Sequence, residues 1–150
     1  MIVIILAVYF ICFAITNSDR PTHGFTSHYA ASRLLSEGKE VSRFYDDGWF
    51  SVNVKRFVPE VYEIYYFNLP TTSIMMLPLV MFDYKTARII WTIFNFIILL
   101  FAVGFLIRKF NYKELWTPLI LILFLSFQPL YANFLFGQAY VLIFILFLVA

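Results

Sequence analysis

The residues of this chain that could do chemistry gather in a few short places. Asp19 and His23 stand close together just after an uncharged apolar run. Either could take the proton of a hydroxyl, as general-base catalysis requires, and His23 is attractive because an imidazole ordinarily titrates near ~6.5. Asp46 is a reserve base, although Asp46-Asp47-Gly48 has the composition of a turn. Lys85 and Arg88, at the start of a long apolar stretch, could hold a lipid-linked phosphate by charge-assisted hydrogen bonds. The competing reading makes them anchors that snorkel to a membrane face. Asn68 and Gln138 add neutral polar groups, and His28 reads as a contact on a polar helix face. The two histidines and lone Cys12 have no partners at metal-ligand spacing, and Cys12 can form no disulfide within the chain. The scattered glycines make no phosphate-cradling loop. No metal or cofactor is expected.

The elements that must position these groups are set by composition. Of 150 residues, 62% are hydrophobic and only 13% charged, well under the roughly 25% of soluble domains. No charge falls in residues 1–18, 89–107 or 115–150. Stretches of that length are what a hydrocarbon slab about 30 Å thick demands of a helix. The expected class is therefore all-α, a polytopic helical membrane protein. Spans are expected at about 1–16, 88–107, 116–127 and 139–150. The first is read as an uncleaved span, because no basic region precedes it and no small-residue cleavage site follows. The last apolar run stops without charged or aromatic anchors, so a larger protein is expected to continue beyond Ala150.

Residues 17–87 form the expected external loop. Its part 17–70 carries six Lys/Arg against seven Asp/Glu, nearly neutral, whereas "RKFNYKE" supplies Arg108, Lys109 and Lys113 against one acid. The positive-inside rule puts the latter in the cytoplasm and the N-terminus with it. Within the loop, Thr26 or Ser27 can cap an amphipathic helix over about 27–37, closed by Gly38 in the left-handed position. Ala30, Ala31, Leu34 and Leu35 share one face and His28, Ser32 and Ser36 another, which suits a helix lying on a membrane surface. Residues 71–82 reach only about 18 Å as a helix, too short to cross, and are read as a juxtamembrane element. Asp83 then caps the helix that begins around Tyr84, and "QPLYANFLFGQ" reads as a short external turn. In this topology Asp19, His23, Asn68, Lys85, Arg88 and Gln138 all fall at the extracytosolic side. Dispersed charge of +2 excludes a nucleic-acid partner.

Taken in order, "GFTSHYAASRLLSEG" to "FYDDGWF", "YYFNLPTTSIMMLPL", "ARIIWTIFNFIILL" and "QPLYANFLFGQAYVLIFILFLVA" resemble glycosyltransferase family 87. The resemblance runs over nearly the whole chain and implies a GT-C fold of the alpha-1,2-mannosyltransferase-like kind. It implies a multi-pass enzyme of the cytoplasmic membrane that moves a sugar, a mannose-like hexose or a pentose, from a polyprenyl phosphate donor. The acceptor would be an extracytosolic lipid or glycan, and the sugar would invert in one displacement. Such enzymes carry a basic aspartate in a pattern like Asp-Phe-x-x-Tyr-Tyr-x-Ala. Here Phe25, His28, Tyr29 and Ala31 take the later positions and Gly24 stands where the aspartate would be. Asp19 or His23 is then the expected base, with His28 and Tyr29 beside the substrate. "NLP" at 68–70 resembles a wall of the donor cavity, and Gly137-Gln138 resembles the family's "GQ" element, with Tyr140 where asparagine is usual. The alternative is a non-catalytic membrane protein that keeps the lipid-binding groove for binding or assembly. A transporter is disfavoured because no ionisable residue lies at mid-depth of any expected span.

Overall fold

The computed structural model describes residues 1–66, 68–109 and 116–149, and among these every regular element is helical. The chain divides into two units, Met1–Ser18 with Trp91–Ala150 and Asp19–Ile90. The eight α-helices are α1 Ile2–Thr16, α2 Phe25–Ser36, α3 Asp47–Val54, α4 Pro70–Met76, α5 Tyr84–Lys109, α6 Trp116–Leu125, α7 Gln128–Phe136 and α8 Tyr140–Val149.

The first unit holds α1, α6, α7, α8 and the greater part of α5. Its core is Phe10, Ala14, Leu99, Leu130, Phe134 and Val141. Phe10 lies at the centre, with its ring edge-on to Tyr131 at 5.2 Å and Phe134 at 5.0 Å and stacked on Phe96 at 5.9 Å. Such offset and edge-to-face pairs add about 0.5–1.5 kcal/mol each beyond the area they bury. Outside that core, Ile5, Val8, Ile97, Leu100, Phe101, Leu146 and Phe147 stand exposed, a surface suited to lipid rather than water. Of the expected spans, α5 is long and apolar enough to cross a membrane by itself, being 26 residues or about 39 Å. Helix α1, at 15 residues, is shorter. Arg108 and Lys109 end α5, while Lys113 and the rest of "RKFNYKE" lie outside the described residues.

The turn expected after the stretch 116–127 is corrected. Helix α6 ends at Leu125, and "QPLYANFLF" is itself the helix α7, with the pair bent by 48°. Pro129 explains the break: it has no N–H to give to the carbonyl of Leu125 four residues back, and its ring would clash there. The Leu125 carbonyl instead accepts from the Tyr131 hydroxyl at 2.8 Å. Gly137, at φ 64° and ψ 38°, ends α7 in the left-handed conformation. By length and composition α6 and α7 together could make one broken span.

A polar clamp runs through this apolar unit. The amide nitrogen of Asn133 donates to Asn95 Oδ1 at 3.2 Å, and Asn133 Oδ1 accepts from the Tyr140 N–H at 2.9 Å at the start of α8. Asn95 donates to the Trp91 carbonyl at 2.9 Å, and the Trp91 indole N–H donates to the Gly137 carbonyl at 2.9 Å. Asn95 and Asn133 are 2% and 1% exposed, so each bond is made where the cost of leaving it unmade is greatest.

The second unit is knit differently. Its core of Ala30, Ala31, Leu34, Phe44, Phe50, Val54 and Tyr65 is crossed by side-chain hydrogen bonds. Tyr65 donates its hydroxyl proton within reach of the Leu69 carbonyl and Ser73 Oγ, both at 2.7 Å. Ser32 reaches the Ser73 carbonyl at 2.7 Å and Arg33 the Val80 carbonyl at 2.6 Å. These bonds overturn the expectation of a surface helix: the polar residues His28 and Ser32 of α2 are buried, at 4% and 0%, and the Ser73 carbonyl on α4 gives Ser32 an acceptor, as the Val80 carbonyl in the 3₁₀ turn Leu77–Met81 does for Arg33. Thr26 and Ser27 do not cap α2 but lie inside it, bonding back to the carbonyls of Thr22 and Gly24. Gly38 follows α2 at φ 73°. Asp46 proves to be the N-cap of α3, accepting from the Trp49 N–H at 3.0 Å, so Asp46-Asp47-Gly48 is a helix start rather than a turn. Asp83 caps α5 through the Thr86 N–H and hydroxyl at 3.2 and 2.7 Å, and the Thr86 bonds hold its carboxyl below the usual aspartate value.

Candidate functional site

The titratable residues singled out around α2 and the start of α5 lie in the second unit, and hydrogen bonds sort them into pairs. At Gly24 the backbone has φ 75° and ψ −78°, and the Phe25 N–H donates to the His23 carbonyl at 2.9 Å. That is a γ-turn of the positive-φ kind, which is strained for a residue with a Cβ and open to glycine. The position where an aspartate would be expected is thus one whose backbone calls for glycine. The turn throws His23 outward, and its Nδ1 lies 2.9 Å from Glu63 Oε2. A carboxylate only accepts, so Nδ1 donates, and in the neutral imidazole the lone pair is on Nε2. The imidazole is 70% exposed and the Glu63 side chain 14%. A shielded carboxylate orienting an open imidazole is the arrangement of a general base.

Asp19 goes elsewhere. Its carboxylate meets Lys85 Nζ at 3.1 Å, both side chains well exposed, and the hydrogen bond from Lys85 lowers its pKa below the ordinary 3.8. The pairing makes Asp19 a weaker base and occupies Lys85. Tyr84 ties the segment between Asp19 and His23 to α5: its hydroxyl accepts from the Thr22 N–H at 3.1 Å and lies 2.8 Å from Thr26 Oγ1. Phe25, Tyr29 and Tyr84 form a ring cluster with centroids 5.5–6.0 Å apart. The guanidinium of Arg88, fully buried, lies 5.4 Å from the Phe25 centroid, a cation–π contact of a desolvated charge.

The neutral candidates are likewise engaged. Tyr29 donates to the Phe82 carbonyl at 2.7 Å, and burial pushes its phenol pKa up. The Asn68 side-chain amide donates to Ser27 Oγ at 3.1 Å, and the Asn68 backbone carbonyl accepts from the Tyr45 hydroxyl at 3.1 Å. Gln138 belongs to the first unit, where its N–H donates to the Asn133 carbonyl at 3.0 Å. Sequence reasoning missed Glu63 and Tyr84. Glu63 lies 40 residues from His23 in an irregular segment, with no local pattern to mark it. Tyr84 was visible only as the first residue of a helix. Among the described residues no three His, Cys, Asp or Glu side chains come together as a metal set.

By length and composition, α5 and the bent pair α6–α7 could each cross a membrane. The model of glycosyltransferase family 87 matches residues 66–150, over half of the chain. The chain belongs to glycosyltransferase family 87. The match is narrower than the expected resemblance over nearly the whole chain, since it leaves Asp19, His23, His28 and Tyr29 outside it. No curated protein and no solved structure matches the chain.

Proposed function

We propose that the chain serves transfer of a mannose-like hexose or a pentose from a polyprenyl phosphate donor to an extracytosolic lipid or glycan hydroxyl, with His23 as the base. The observation that carries this reading is the 2.9 Å bond from His23 Nδ1 to Glu63 beside an exposed Nε2. In the reaction the acceptor oxygen attacks the anomeric carbon while its proton passes to Nε2. The bond from that carbon to the phosphate oxygen breaks, and polyprenyl phosphate leaves with the electron pair. Glu63 steadies the imidazolium that results. Lys85, released from Asp19, would meet the departing phosphate, with Arg88 behind it, three residues along α5. His28 and Tyr29 would support the wall that Asn68 lines. The protein would pass the membrane several times with its N-terminus in the cytoplasm.

Transfer from radiolabelled polyprenyl phosphate sugar, measured in membranes holding the whole protein, tests this. His23→Ala should lose roughly 100-fold or more in kcat. Glu63→Gln should lose about tenfold in kcat with KM little changed. Asp19→Asn should stay near wild type. Full activity of His23→Ala would end the base assignment. A second reading, a non-catalytic lipid-binding or assembly protein, draws support from the γ-turn at Gly24, which disfavours an aspartate there. Absence of transfer from any donor would favour it.

A further inference from the structure

The break between α6 and α7 opens a groove of about 540 Å³ in the first unit, lined by Leu6, Tyr9 and Phe13 of α1 and by residues flanking the break. That volume lies within the range of small-molecule sites. Its walls divide by chemistry. Phe13, Leu125, Leu135 and Phe136 are apolar, whereas Tyr9, Ser126, Gln128 and Tyr131 bring hydroxyls and an amide. Ser126 and Gln128 are exposed at the break itself, and the Tyr9 and Tyr131 rings lie 6.0 Å apart. Among the described residues no Asp, Glu, Lys or Arg lines the groove.

Irregular backbone inside an apolar span persists where it lines a cavity with polar content, and broken helices mark binding sites in membrane proteins. A groove with neutral donors and acceptors at a helix break, aromatic faces and apolar flanks selects for an uncharged, hydroxyl-rich head on a hydrocarbon chain. Among the described residues it has none of the cations that a phosphate would need. We propose that this groove binds a neutral glycolipid, its sugar hydrogen-bonded by Gln128, Ser126 and Tyr9 and its chain laid along Phe13, Leu135 and Phe136. The proposal rests on the glycosyltransferase reading and names the acceptor class as a neutral glycolipid.

The whole protein, reconstituted in phosphatidylcholine vesicles containing monoglucosyl diacylglycerol with a diazirine in its acyl chain, is irradiated and its labelled peptides are mapped. Labelling should concentrate on residues 6–13 and 125–136 and be competed by unlabelled monoglucosyl diacylglycerol but not by phosphatidylglycerol. Gln128→Ala, and Tyr9→Phe as the variant that keeps the ring, should each reduce it about three- to tenfold, as loss of one hydrogen bond does. Labelling spread over all apolar helices, or competed equally by phosphatidylglycerol, or unchanged in both variants, would overturn the site. Sugar transfer is followed in parallel: transfer without focused labelling rejects the groove alone, and focused labelling without transfer rejects the enzymatic reading alone.

Discussion

The two units of this chain solve the same folding problem with opposite means. The first packs rings and aliphatic groups around Phe10, leaves large apolar side chains exposed, and buries its Asn95–Asn133 clamp among them. The second buries apolar groups too, and ties them with side-chain bonds to carbonyls, as Tyr29, Ser32, Arg33 and Tyr65 do. Each means suits a different medium. In lipid no hydrophobic force draws helices together, so close packing and a few buried bonds must hold them. In water, a charged and polar unit can rely on burial and must in return satisfy every backbone group that burial takes from solvent.

Substitutions can break or sharpen that contrast. The largest effect should come from Phe10→Ala, which removes the ring that three others contact and costs about 3 kcal/mol, read by thermal unfolding in lipid nanodiscs. Tyr65→Phe keeps the ring but strips the hydroxyl from the Leu69 carbonyl and Ser73, at about 1–2 kcal/mol by the same assay. If Tyr65→Phe costs more than Phe10→Ala, the division between packing and bonding is wrong. Gly24→Ala should cost about 1 kcal/mol, because alanine at φ 75° is strained; loss of His23-dependent transfer with little loss of stability would show that the γ-turn positions the imidazole. The smallest effect belongs to Asp19→Asn. Lys85 lowers the folded carboxyl below 3.8, so this pair helps above that pH and the help fades as acid protonates Asp19. A stability titration should lose only that acid-side slope, and high salt should mimic the loss.

Legibility followed the same division. Helix α5 could be read from its uncharged run and its Asp83 cap, and the family from residues 66–150. The break at Phe127 was signalled too: proline just inside a helix start and glycine just past its end bracket α7 at Pro129 and Gly137. Its polar residues Gln128 and Asn133 made the segment look like a turn, although Asn133 faces a partner on another helix. Helix α2 was readable as a helix but not as a buried one, because apolar periodicity cannot show that Ser73 waits for Ser32. The pairing of His23 with Glu63 had no sequence signature at all, since it joins two irregular segments through the tertiary fold.

Trp91 gives this molecule an optical label of its own. Its indole is 4% exposed and bound to the carbonyl of Gly137, the residue on which α7 gives way to α8. With Trp49 and Trp116 replaced by phenylalanine, fluorescence would come from one shielded ring whose emission colour depends on that corner staying closed. Opening or hydration of the corner would then register as a red shift, without any probe attached to the protein.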